Sequence, residues 1–467
     1  MTVTLAGSLA PSSLSHPAVE ERLTCVGVER KVRSLGMGLY QSAQLALIGG
    51  VLFLQGAVFF LFALATRIDH FSDLSFSAKF AILTATFGGR SLGYLTSSFF
   101  QSRRLPMLLG MAGTGIGLGF LGFGFQSSSI SLFLRSTVNF FCALGAPAAF
   151  ASVREILPEN ARWLGFGLMA VFALIGGFFG FFGLWLINDT SGTLGVGSWQ
   201  NCAEIISVPA MLFLLVSGIH LQDSPLYFAS QGRHVEVNLL LRKIAVINNK
   251  VNERIRFVPR AFGTEEDFSG WSLIADSTKT LFKNGSSVLL GSITTTLAVN
   301  HYLFNVEHRF ELVLGVVFVI CLLSIFAGSF LSIRKRILGG TLVFISAGYL
   351  LACESQNLRE WIGKHGGGLG GKGWAQLVLV TGLILTKIDC DSELSNLFSQ
   401  SQRVPGIALT MGISVSIQSF IEIYQIAYAT TVPFLPVVLA GTTIMLLTSQ
   451  RHSTIEDLTE ENVKLLA

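Results

Sequence analysis

The chain has 467 residues, of which 51% are hydrophobic and only 13% charged, with 38 Phe and a formal net charge of +4. A soluble domain carries about 25% charged residues, so this composition excludes an ordinary water-soluble globular protein. No basic run is interleaved with aromatic residues in the way that tracks phosphates, and nucleic acid is excluded as a partner.

Residues 1–42 are polar and charged, without a short apolar core and small-residue cleavage site. They read as a cytoplasmic N-terminal segment with no removable signal peptide. Twelve apolar stretches follow, at about 43–66, 78–99, 105–125, 130–153, 162–187, 203–221, 285–305, 310–332, 337–353, 374–388, 405–428 and 430–449. A helix of roughly 20 residues crosses a hydrocarbon core of ~30 Å, so each reads as a membrane span. They group as six (43–221), a central cytoplasmic loop (222–284) and six more (285–449), with a cytoplasmic tail at 450–467. Within the loop, His234 to Val246 reads as an amphipathic helix lying along the membrane face.

Twelve spans put both termini on one side of the bilayer. Of 32 Lys and Arg, 24 fall on that side, six on the other, and Arg90 and Arg135 within spans. The positive-inside rule then makes both termini cytoplasmic, in a plasma or inner membrane.

Ionisable and amide side chains inside spans cost free energy and mark cavities or partners. Span one carries Gln55, span two Arg90 and span seven Asn300. In span eleven Gln418, Glu422 and Gln425 are spaced i, i+4, i+7 and share one helical face. Glu422 can bind a cation or protonatable solute, or pair with a neighbouring helix. Arg90 can attract an anionic solute or neutralise Glu422 across the protein. The six Cys show no paired metal-ligand spacing, and the Gly366–Gly373 run lacks the Ser/Thr and the preceding strand of a P-loop. No metal, cofactor or catalytic constellation is expected, and the chain does not read as an enzyme.

Several elements in order carry a family resemblance. Arg135, Pro147 and Glu155 are spaced along span four, and Glu155-Ile-Leu-Pro158-Glu-Asn-Ala-Arg162 follows it. Ser102-Arg103-Arg104 after span two has a counterpart, Arg334-Lys-Arg336, after span eight. After span six comes Gln222-Asp-Ser-Pro225-Leu-Tyr, then Gly232-Arg233 and Leu241-Arg-Lys-Ile; past span twelve comes Ser453-Thr-Ile-Glu-Asp457-Leu. Together these resemble the major facilitator superfamily, in its sugar-porter and organic-ion (synaptic-vesicle-protein-like) branches. The chain departs from that pattern at Ser97, where an Asp is usual, and at Gln55, where several relatives carry an acid before Gly56; the sugar-recognition motif of helix seven is absent from 285–305.

The resemblance implies an all-α membrane protein of twelve transmembrane helices in two pseudo-symmetric six-helix bundles. It implies a monomeric secondary transporter of a small organic solute, with or without a coupling ion, working by alternating access. Substrate contacts are expected at Gln55, Arg90, Asn300, Gln418, Glu422 and Gln425, and gating at Arg103, Arg104, Glu155, Arg162, Glu393 and Arg403. The alternative is a non-transporting, carrier-like receptor or scaffold.

Overall fold

The computed structural model describes residues 21–22, 25–68, 75–100, 102–123, 128–191, 198–250, 257–258, 270–305, 335–354, 370–428 and 440–446, with 319, 322, 323 and 438 besides. Nearly all of these are helical; the exception in regular structure is a two-residue parallel pair, β1 (Glu21–Arg22) with β2 (Phe257–Val258). Most of spans eight and twelve lies outside the described residues.

The first half begins with α1 (Cys25–Leu35) and the long α2 (Leu39–Ile68). Span two is three pieces: α3 (Phe76–Leu83), a π-helical turn at Thr84–Gly88, and α4 (Gly89–Ser97). Next is α5 (Arg104–Gly122). Span four is two helices, α6 (Ser128–Leu144) and α7 (Ala146–Ile156), parted at Gly145. The break follows from Pro147, whose ring would meet the carbonyl of residue 143 in a continuous helix and whose missing N–H is no loss in a first turn. Then come α8 (Arg162–Ser191) and α9 (Ser198–His220). The connecting segment forms α10 (Pro225–Ser230), α11 (His234–Ile247) and α12 (Gly270–Asn284). The second half contributes α13 (Ser286–Asn305), α14 (Lys335–Glu354), α15 (Gly370–Leu397) and α16 (Arg403–Tyr428). Among the described residues, six helical stretches are long and apolar enough to cross a membrane.

Glycines set the closest helix contacts. A Cβ on Gly56 of α2 would lie 1.8 Å from the Ala173 carbonyl oxygen of α8, and one on Gly176 would lie 1.9 Å from that of Phe53. In lipid, apolar burial gives little drive between helices, so close backbone approach supplies the dispersion that holds them. The glycines of α5 pack in the same way: Gly113 against the Phe141 ring of α6, Gly122 against Glu204 of α9.

Two features of the polar segments differ from the sequence reading. The N-terminal segment contains α1, whose Val28, Val32 and Leu35 are buried. One apolar face of α11 is covered by protein, with Val237, Leu240, Leu241 and Ile244 in one buried cluster with those α1 residues and Leu226 of α10, while Val235, Leu239 and Val246 of the same helix stay exposed. The two halves also share one core at the end that carries Arg103, Arg154, Arg162 and Arg403, hereafter the basic end. Val153, Ile156 and Leu157 of the first half lie in one buried cluster with Leu394, Phe398, Val404 and Ile407 of the second.

Gly56→Val should destabilise the detergent-purified protein by at least the ~1–3 kcal/mol of overpacking, read as a lower thermal unfolding temperature, since a backbone carbonyl cannot step aside. An unchanged melting temperature would contradict the close α2–α8 contact.

Candidate functional site

At the basic end the last turn of α7 presents Glu155, a carboxylate with no exposed side-chain surface. Its Oε1 takes two guanidinium partners, Arg103 Nη2 at 3.3 Å and Arg403 Nη1 at 3.2 Å. Its Oε2 accepts from the Ser224 hydroxyl, which also caps α10 by accepting from the Tyr227 N–H. Arg103 precedes α5 in the first half; Arg403 opens α16 in the second. One carboxylate therefore ties the halves together.

Supporting bonds hold both arginines in place. Arg403 Nε donates to the Ser395 carbonyl at 3.0 Å, and its Nη1 to Gln400 Oε1. Arg103 Nη2 reaches the Gln400 carbonyl at 3.0 Å, and its guanidinium lies 5.6 Å from the Tyr227 ring centroid. Asp223 accepts the backbone N–H groups of Arg103 and Arg104, each at 2.8 Å, and the Ser102 hydroxyl. A second acid, Glu29 of α1, takes Arg154 at 3.2 Å and also Arg162. Asp223 supplies a negative charge close to a turn whose usual acid is replaced by Ser97; Ser97 is buried, and its hydroxyl has no hydrogen-bond partner among the described residues.

Of the gating candidates, Arg103, Glu155 and Arg403 are thus in direct contact. Arg104 instead donates to the Gly218 carbonyl and Arg162 to Glu29, each securing the first half to itself. Glu393 is half-buried on α15, and the residues of that region that reach Arg403 are Ser395 and Gln400. Sequence reasoning missed Glu29 and Asp223, which look like ordinary loop charges until α1 and α10 are folded against the bundle.

Farther along the same helices a cavity of about 320 Å³ lies between the halves, at the small end of the range for small-molecule sites. On α16, Met411 lines it eight residues from Arg403, ~12 Å of helical rise. The first half contributes Gln55 and Phe59 from α2, Arg90 and Tyr94 from α4, and Met169 from α8. The second half contributes Ser292 and Thr296 from α13, Lys387 and Asp391 from α15, and Ser414 and Gln418 from α16. Gln55 donates its amide to the Tyr94 hydroxyl, and Ser414 meets Ser292 at 3.4 Å across α16 and α13. Lys387 and Asp391 form an i, i+4 ion pair on the wall.

Local sequence aims Arg90 at this space. Cβ atoms on Gly89 and Gly93 would lie 2.4 and 2.1 Å from carbonyl oxygens of α6, so that face of α4 is pressed on α6. Arg90 and Tyr94, spaced i, i+4, occupy the adjoining face toward the cavity. The π turn just before α4 shifts the helical register at this point, a device frequent at functional sites.

Gln55, Arg90 and Gln418 are therefore brought together. Asn300 lies on α13 and Glu422 and Gln425 on α16, but the side chains of all three are outside the described residues. The count of 24 inner Lys and Arg includes Lys387, which lies within the expected span ten and lines the cavity instead of an inner loop. α15 runs on to Leu397, nine residues past the expected end of span ten at 388, and carries Lys387 and Asp391 into the cavity wall. Their i, i+4 spacing in an apolar helix was the available signal.

No family model matches the chain. The proton:xylose symporter XylE, of the major facilitator superfamily, bound to 6-bromo-6-deoxy-D-glucose, superposes with a TM-score of 0.64 at 15% identity, covering 92% of this chain and 96% of that one. The chain has the major facilitator fold. The partially occluded inward-open and the inward-open forms of XylE from E. coli superpose at 0.59 and 0.55, each at 15% identity, covering 91% and 87% of this chain and 98% and 95% of those. In sequence, the arabinose-proton symporter of Escherichia coli K12 is 24% identical over 214 residues, 45% of this chain and 43% of that protein. The galactose-proton symporter of the same strain is 23% identical over 276 residues, 57% of this chain and 56% of that protein. The match thus spans about half the length of these curated relatives.

A double-mutant cycle tests the latch. Glu155→Gln and Arg403→Met should be non-additive in unfolding free energy by more than ~1 kcal/mol, as contacting charges are. Additivity within ~0.5 kcal/mol would mean that the two side chains do not interact.

Proposed function

We propose that the protein is a secondary carrier that moves a small organic solute across a membrane by alternating access. The observation that carries the reading is a largely apolar cavity with a few polar and charged side chains between two helix halves, closed at one end by an ion pair that belongs to both. Such a pair has two arrangements, made and broken, and its breaking would open the cavity to the basic end. The bias of Lys and Arg, 23 against six with Lys387 set on the cavity wall, supports a cytoplasmic position for that end. The state described is then closed toward the cytoplasm, and the falling superposition on the partially occluded and inward-open forms of XylE supports this. The chain would act as a monomer, needing no prosthetic group to rock one half against the other.

Arg103, Glu155 and Arg403 would form the cytoplasmic gate, with Arg104 and Arg162 bracing it. The solute would sit among Gln55, Arg90, Tyr94, Ser292 and Gln418. The likeness to sugar-proton symporters makes pentoses and hexoses the first solutes to try and a proton the first coupling ion. Gln55 cannot carry that proton. Asp391, ion-paired with Lys387, is the carboxylate on the cavity wall among the described residues and the candidate to carry it.

Purified protein in proteoliposomes should show saturable counterflow of at least one solute from a panel of sugars, organic anions, organic cations and amino acids. Absence of exchange for every class, in a folded sample, would overturn the carrier reading. With the transported solute in hand, Asp391→Asn should retain counterflow and lose accumulation driven by a pH gradient. Undiminished accumulation would remove Asp391 from coupling.

A further inference from the structure

We propose that the cavity selects a small organic anion, with its oxyanion group on the guanidinium of Arg90 and its apolar body along Phe59, Phe60, Phe150 and Met169. This rests on the carrier reading and adds the charge of the cargo to it.

The observation is a buried cation without a counter-charge. Arg90 is 5% exposed, yet its Nε and Nη2 have no hydrogen-bond partner and no carboxylate is paired with it among the described residues. The Phe59 ring lies 4.9 Å from the guanidinium carbon. A cation over an aromatic face recovers only part of the cost of taking an ion out of water. The arginines of the basic end described above each have an acid or a carbonyl to meet them. Arg90 is also held in place, by Gly89 and Gly93 on one side and the π turn on the other, so its position is built rather than incidental.

The rest of the wall agrees. Among the described residues, the charged ones lining the cavity are Arg90, Lys387 and Asp391, and the last two neutralise each other. Among these three a single positive charge is left, and an arriving oxyanion would cancel it. A guanidinium offers parallel N–H donors that match a carboxylate or phosphate in bidentate geometry. Around it the lining is largely apolar and aromatic, including Leu383 and Val415 from the second half, which suits a hydrocarbon or ring body better than a polyhydroxylated one. A neutral sugar would satisfy few of its hydroxyls here and would leave Arg90 uncompensated.

The test uses the full chain, purified and reconstituted, with phenylacetate and phenyl phosphate as anions, phenylacetamide as the neutral isostere, and xylose and arabinose as neutral sugars. Thermal stabilisation and counterflow are both read. The anions should bind roughly ten- to a hundredfold more tightly than phenylacetamide, the worth of one charged hydrogen-bonding pair. Arg90→Gln should erase that difference, and Arg90→Lys should restore part of it. The comparison of anion with amide on the unaltered protein stands even if Arg90→Gln fails to fold. Equal affinity for phenylacetate and phenylacetamide would overturn the inference, as would anion selectivity that survives Arg90→Gln. Exchange of xylose or arabinose without competition from either anion would leave the carrier standing and sink the anionic cargo. Exchange and stabilisation by nothing in the panel would take down both.

Discussion

A carboxylate sealed from water must find positive charge, and Glu155 finds it in both halves of the molecule at once. Moving a carboxylate into the interior costs several kcal/mol, and removing one partner of a buried pair costs roughly 3–5 kcal/mol because the other is stranded. The contact between the halves at the basic end is therefore centred on one oxygen, Glu155 Oε1, shared by Arg103 and Arg403. If the halves part, Arg403 leaves with the second half while Arg103 and Ser224 stay with Glu155. The first half keeps a partly satisfied acid, and the freed arginine meets solvent. That asymmetry makes opening feasible without leaving a naked charge in the bundle.

Around this latch the structure separates rigid from separable contacts. Within the first half, glycines press α2 on α8 and α4 on α6 to backbone contact, and Asp223 and Glu29 hold the turn before α5 and the ends of α7 and α8. Between the halves, contacts are side-chain packing, the ion pair, and hydroxyl meetings such as Ser91 with Ser416 at 3.2 Å. A body held by interlocked backbones and joined to its neighbour by side chains moves as a unit. The cavity lies along that seam, where the proposed motion of one half against the other would change access and leave each wall intact.

Much of this was legible in the sequence, for reasons specific to membranes. Span positions follow from hydropathy because lipid demands unbroken apolar helices, and α2, α8, α9, α13 and α16 fall where the apolar stretches place them. Glu155, Arg103 and Arg403 stood out by position, each at the edge of an apolar stretch. Other features were hidden by assumptions about where spans stop. Asp391 was set beyond span ten, which was ended at 388 because charge closes an apolar window, whereas a helix lining a cavity can carry a paired charge. The α1 helix shows Val28, Val32 and Leu35 at i, i+4, i+7, but its charged neighbours made residues 1–42 read as a simple polar segment. The π turn before Arg90 leaves no signal stronger than Thr84-Ala-Thr and the glycine pair that follows Phe87.

The most direct test of the latch is a distance across it. Cysteines placed at Ser230 of α10 and Ser401 before α16, both exposed, carry spin labels on the two halves at the basic end. In a background without the native cysteines, the pulsed electron-resonance distance between them should lengthen by roughly 5 Å or more in Glu155→Gln, the scale of a rigid-body opening. An unchanged distance in that variant would contradict the claim that Glu155 holds the halves closed.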